Sequence, residues 1–380
     1  MRIPESQIKQ AILHPEHEVR LTALEYFADT FTQDTSVMPL VIEAVEKYGR
    51  ESALPILRRA DHLPQSALTI DWLIAELRRD FDVADVNQDN YRFALAVILL
   101  EADPELLVRR HKEITSVASF PPELRGLLDL RLRWHFLDWP ELWTEFERPG
   151  TVTKLRAKVS PSERRLFNWI VRALSRHRSE TGRVIALLQR QYDGPNRSLI
   201  EWLEPEVVRL AGHMKLEAAV PILMSLLREG EESVMDEIGP ALGRIGGDRV
   251  VEAIENDWSD SDCDRKSVAL EALSHICSDL SLRKCLEFFE EEGEFEVEVD
   301  LCHCLLAHLA TDAIEPVRQC VLGDDEALEP DQRDIRWNLV ATATVMGATF
   351  PEYEQWHQEA IISNYGRGKD EPVRLADAFR

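Results

Sequence analysis

No stretch of the sequence reaches the roughly 18 consecutive apolar residues that a bilayer-crossing helix needs. The opening residues, MRIPESQIKQ, hold no apolar run of the length of a secretory leader. Together these absences lead us to expect a cytoplasmic protein with no membrane partner. Cysteine is scarce: Cys263, Cys277, Cys285, Cys302, Cys304 and Cys320 all fall in the last third, and none forms a CxxC pair. A chain of 380 residues can build its own core, so this usage fits a reduced chain rather than a disulfide framework. Motifs of catalysis are also missing. There is no glycine-rich phosphate loop, no GxSxG, no HExxH and no nucleophilic Cys/His spacing. We therefore expect a non-catalytic protein without cofactor or metal, although distant residues can converge on a site that no motif reveals.

Positive charge is in short supply. Lys and Arg number 44 against 69 Asp and Glu, for a net charge of -25, which repels nucleic acid and anionic membrane at long range. With 44% hydrophobic residues the chain can still bury a large core, which excludes global disorder. The charge is uneven. Residues 101–200 carry 18 Lys and Arg against 13 acids, whereas residues 201–300 carry 9 against 26. A mildly basic middle thus precedes a strongly acidic stretch.

What the sequence does contain is a recurring helical pattern. In LHPEHEVRLTALEYFAD the apolar residues Val19, Ala23, Leu24 and Phe27 make a stripe on one helix face. The same offsets recur at Val268, Ala272, Leu273, Ile276 and at Leu301, Leu305, Leu306, Leu309. Similar units begin at Leu210, Leu242, Leu273 and Leu306, with spacings of 32, 31 and 33 residues. Each is a helix end, a polar or glycine-containing break and a second apolar helix. A two-helix unit with a period in the low thirties is the signature of a repeat array. Second helices carry Pro39, Pro221 and Pro316 near their starts, where a missing N–H costs nothing. Pro15 takes the same position before the first stripe, with Glu16 and Glu18 near the positive end of the helix dipole.

HPEHEVRLTALEYFAD followed by MPLVIEAVEKYG resembles a HEAT repeat of the short bacterial kind, as do PEVVRLAGHMKLEAAVPILMSLL and ALGRIGGDRVVEAI. The Val-Arg dyad of that family stands here at Val19-Arg20 and Val208-Arg209. The resemblance covers about residues 8–49 and 203–322. It implies an all-α, right-handed α-solenoid of helical hairpins that serves as a protein-binding scaffold. The expected organisation is N-terminal repeats over 1–115, a divergent Trp-rich helical segment over 116–202, and regular acidic repeats over 203–323. Capping helices over 324–363 and a polar tail over 364–380 follow. In the N-terminal part the spacing predicts helices over 70–81 and 90–102, and a last pair over 333–346 and 351–363.

Several constellations compete for a functional role. Asp260, Asp262, Asp264 and Glu271 match positions 1, 3, 5 and 12 of a calcium loop, but Arg265 stands where that loop needs glycine. The alternative is an acidic turn with an aspartate capping the next helix. Cys302-His303-Cys304 suggests zinc, but residues two apart on a helix do not share a face, so buried inert cysteine is the preferred reading. EEEGEFEVEVD, residues 290–300, is the densest negative run and reads as the start of a helix. Its Glu290, Glu291, Glu292 and Glu294 are the candidates for docking a basic segment. In RLRWHFLDWPELW, Arg131 and Arg133 lie among Trp134, Phe136, Trp139 and Trp143. Arginine among aromatics can stack on bases, but tryptophans at that spacing more often form interhelical core.

The leading expectation is a non-catalytic scaffold that binds a protein partner, one with a basic segment, through the acidic 201–300 face. A second is nucleic-acid association through Arg125, Arg131, Arg133, Lys154, Arg156 and Lys158. A third is an enzyme-assisting factor of the type seen among HEAT-like bilin lyases, for which no residue is selected.

Overall fold

The computed structural model describes residues 2–148, 161–191, 197–322 and 330–367. It is all-helical, with no strand among the described residues. The first seven helices are α1 (Glu5–Ala11), α2 (His17–Asp29), α3 (Val37–Tyr48), α4 (Arg50–Arg59), α5 (Ala67–Leu77), α6 (Val86–Glu101) and α7 (Pro104–Ser116). Then come α8 (Pro122–Phe136), α9 (Trp139–Phe146), α10 (Pro161–Leu174), α11 (Thr181–Leu188), α12 (Arg197–His213), α13 (Val220–Glu229) and α14 (Glu232–Ile245). The last are α15 (Asp248–Trp258), α16 (Cys263–His275), α17 (Asp279–Glu291), α18 (Phe295–Ala307), α19 (Ile314–Val321), α20 (Pro330–Met346) and α21 (Tyr353–Arg367).

Local chemistry sets many of the starts. Ser66 and Thr69 form a reciprocal capping box at α5, and Asp138 and Glu141 form another at α9. Asp85 accepts the N–H groups of Asn87 and Gln88 at α6, so that helix begins four residues before the predicted 90. Pro104 fills the first turn of α7 behind the Asp103 cap, and Pro221 does so in α13. Pro15 lies outside its helix, which begins at His17 after Glu16.

The chain divides into two compact units, residues 1–128 with 305–378, and residues 129–304. The divisions fall inside α8 and α18. Within the first unit alternate helices stack, α2 on α4 on α6, while α3, α5 and α7 form a second layer. The stacking therefore runs on past residue 50, where the sequence resemblance lapses. Val19, Ala23, Leu24 and Phe27 are all buried in it, as the stripe requires. The C-terminal pair packs directly on the N-terminus: α20 lies against both α1 and α2, and α21 packs on α20. The Gln7 side chain donates to the Val345 carbonyl at 3.1 Å, and Glu16 meets His357 at 2.8 Å. An antiparallel bridge joins Arg2 to Ala310.

In the second unit α10, α12, α14 and α16 form one layer and α13, α15 and α17 the other. The first layer is drawn tight by glycine. A Cβ on Gly212 of α12 would fall 2.8 Å from the Cα of Ala241 in α14, so only a residue without a side chain allows this approach. In the other layer Trp258 stacks on Phe288 at 4.0 Å between centroids. The tryptophans of the middle segment are interhelical core: Trp134, Trp139, Trp143 and Trp169 are all buried. Trp139 and Trp143 stack on each other at 5.4 Å.

Candidate functional site

The Arg of each Val-Arg dyad is buried, yet the two have different partners. Arg20 donates to the carbonyls of His14 and Pro15, both at 2.8 Å, and its guanidinium lies 4.2 Å from the Tyr48 ring centroid. It thereby closes the turn before α2. Arg209 instead bonds Glu206 at 2.6 Å on its own helix and Glu237 of α14 at 2.9 Å. Burial acts to lower its pKa, but the two carboxylates outweigh that and raise it.

Glu237 begins a charged seam across α12, α14 and α16. Asp236 is exposed beside it, and Glu271 projects from α16 toward the same place. A Cβ on Gly239 would overlap Oε2 of Glu271 and come within 3.0 Å of the Val268 carbonyl. The missing side chain at Gly239 is what lets this carboxylate lie against α14. Glu271 is exposed as a residue, but its carboxyl is pushed up to about 7. Desolvation against α14 is the largest cause, and the charges of Asp236 and Glu237 add to it. Arg244 opposes that rise and is itself held down at about 10, first by burial and then by the nearby Arg209. Asp236 and Glu271 thus add two carboxyls beside the Arg209–Glu237 pair, and Arg244 is the cation that acts on Glu271.

The acidic run behaves as several separate groups. Phe295–Ala307 is helical, so the alternation of Phe295, Val297 and Val299 marks a helix start as expected. Glu290 and Glu291 end α17 exposed, and Glu294 is exposed in the following turn. Glu292 is different. Its carboxylate is buried and meets Lys266 of α16 at 2.8 Å, and that ammonium also lies 5.3 Å from the Trp258 ring centroid. Desolvation would raise its pKa, but the Lys266 hydrogen bond and the backbone N–H groups of Gly293 and Glu294 bring it down. Glu292 joins α16 to the turn after α17.

The three basic candidates among the described residues each have partners close by. Arg131 is buried, with its guanidinium 5.3 Å from the Trp169 ring centroid. Arg133 is exposed and pairs with Glu145 at 3.3 Å. Arg125 donates to the Val117 carbonyl at 3.4 Å. Lys154, Arg156 and Lys158 lie outside the described residues.

Asp262 is the cap of α16, accepting the N–H of Arg265 at 3.0 Å, as the capping reading of that acidic turn requires. Glu271 belongs to the body of that helix and faces α14 rather than the turn. The seam was not recognised from sequence. The signal was present in EIGPALGRIGG: glycine at 239 and 243 inside a helical stretch costs about 1 kcal/mol each relative to alanine, which points to a close helix approach. A scan against protein-family models and a search for relatives among curated proteins found no match to this chain.

Proposed function

We propose that the chain is a HEAT-like helical-repeat scaffold that binds a protein partner through the acidic surface of residues 201–300. The observation that carries this reading is the Glu271 carboxyl, set against α14 over Gly239, with the charges of Asp236 and Glu237 beside it. A carboxyl pushed up to about 7 by burial and by like charges is a site where a lysine or arginine from a partner supplies missing compensation. The two-layer stacking of alternate helices supports the repeat reading, because each two-helix unit buries its apolar face against its neighbours. Exposed Glu290, Glu291 and Glu294 extend the negative field on the same segment and would favour encounter with a basic partner.

The nucleic-acid reading has less support. Of its described residues, Arg131 is spent on the Trp169 face and Arg133 on Glu145. The test is affinity capture from the native host at low salt, with and without nuclease, comparing wild type with the double variant Asp236→Asn, Glu271→Gln. A protein retained by wild type and lost by the variant supports the proposal. Equal retention by both removes the seam from the binding surface, and material lost on nuclease treatment favours nucleic acid.

A further inference from the structure

Two of the cysteines set aside as inert lie side by side. Cys285 of α17 and Cys304 of α18 bring their sulfurs to 3.4 Å, and both residues are buried. They stand 19 positions apart on consecutive helices of the second unit. Between them lies the acidic run with Glu290, Glu291, Glu292 and Glu294. Cys277 is half-buried and near enough to act on the Cys304 thiol, which makes it the competing partner.

We propose that Cys285 and Cys304 are a reversible dithiol–disulfide pair, oxidised by exchange with a low-molecular-weight disulfide. A disulfide holds its sulfurs about 2.03–2.05 Å apart, so each sulfur has about 0.7 Å to travel. Adjustment of the side-chain torsions moves a sulfur that far. In the exchange one cysteine thiolate attacks a sulfur of the small disulfide, forming a mixed disulfide and releasing a small thiolate. The second cysteine thiolate attacks the protein sulfur of that mixed disulfide. The Cys285–Cys304 bond forms and the second small thiolate leaves. The two cysteine protons end on the released thiols, and the two electrons lost by the pair reduce the small disulfide.

Only a thiolate attacks, and the hydrogen bond with Cys285 and full burial hold the Cys304 thiol well above its ordinary pKa. Exchange therefore starts from a local opening that wets the two sulfurs, and it is slow without one. The finished bond restricts the opened state of the segment it closes. Oxidation thus ties together the two helices that flank the acidic run.

The experiment uses the full chain, reduced with a phosphine that is then removed, and oxidised glutathione without denaturant. Intact mass, alkylation of remaining thiols and glutamate-directed digestion locate the bonds. The expected result is loss of two hydrogens, a Cys285–Cys304 link, and full reversal by reduced glutathione. The link should still form in Cys277→Ser and in Cys302→Ser, variants that leave the pair intact. A low urea concentration that leaves the chain folded should speed its formation. Hydrogen exchange in α17 should be slower by about tenfold or more in the oxidised chain. Glutathione adducts elsewhere with Cys285 and Cys304 still alkylated as thiols overturn the proposal. So does a Cys277–Cys304 link, or a Cys285–Cys304 link that forms only in unfolded chain. Equal exchange in the oxidised and reduced chains overturns the tie between the helices.

Discussion

The carboxylate of Glu271 occupies the space that a side chain on Gly239 would fill. One helix gives up a side chain, and the neighbouring helix places a charge there. The cost shows in the carboxyl itself, pushed up to about 7 first by burial and then by Asp236 and Glu237. A group whose folded pKa exceeds its unfolded value of 4.5 binds more protons in the native state. Stability then falls as pH rises from about 4.5 to about 7, and the penalty is complete above that window. Glu271→Gln removes the ionisation. We expect it to match wild type near pH 4 and to exceed it at pH 8 by about 1 kcal/mol, a figure discounted for solvent screening of an exposed residue. Urea denaturation at the two pH values checks this. Gly239→Ala should displace the carboxylate toward solvent and lower its pKa, which carbon-detected NMR of the glutamate side chain would show.

Glycines in this chain divide by what surrounds them. Gly212→Ala would force α12 and α14 apart, because the atom in the way is the Cα of Ala241 rather than the end of a flexible side chain. It should destabilise by about 1–3 kcal/mol despite the better helix propensity of alanine. Gly126, inside α8, has open space where its Cβ would be. There the same substitution should stabilise by about 0.5–1 kcal/mol. Opposite signs in thermal melts test the close packing of the layer that carries the acidic seam.

Neutralising the glutamates of residues 290–294 should separate two roles. Glu290→Gln, Glu291→Gln and Glu294→Gln together should leave the melting temperature within the scatter expected of surface changes, about 0.5 kcal/mol. Glu292→Gln leaves the half-buried Lys266 without its charged partner and should cost about 1–3 kcal/mol. The lowered pKa of Glu292 means that its contribution is present above the unfolded carboxylate value and is lost as pH falls through the folded one. Differential scanning calorimetry of the two variants at neutral and acid pH distinguishes them.

The C-terminal helices belong with the beginning of the chain. Ile335, Leu339 and Ala343 of α20 are fully buried, and α20 packs on α1 and α2. A chain ending at residue 323 should therefore expose the apolar stripe of α2, lose cooperative melting of its N-terminal helices and aggregate. If 320-odd residues were a self-sufficient array with a dispensable cap, the truncated chain would melt as sharply as the whole. Circular dichroism and light scattering on the two chains decide between these outcomes.

Much of the architecture was legible because helix stripes are local. Val19, Ala23, Leu24 and Phe27 lie within three turns, and burial of that set follows from its spacing alone. The packing of α20 on α2 joins residues more than 300 positions apart, and no periodicity encodes such a pairing. The same distinction applies to the candidate sites. Asp262 as a cap was legible, since its partner Arg265 is three residues away. Arg131 and Glu292 read as available charge because their partners, Trp169 and Lys266, stand on other helices. The seam at Glu271 and the Cys285–Cys304 pair needed two helices to be placed together before either could be seen.

The central claim is that the seam around Asp236 and Glu271 recognises a basic protein segment. The most direct measurement is calorimetric titration of the captured partner into wild type and into the variant Asp236→Asn, Glu271→Gln, at two salt concentrations and in buffers of different ionisation enthalpy. The account predicts that wild-type binding weakens with salt and releases a proton near pH 7, as the incoming cation brings the Glu271 carboxyl back toward its ordinary range. The variant should bind at least tenfold more weakly and release no such proton. Equal affinity, equal salt dependence and no difference in proton release between the two proteins would contradict it.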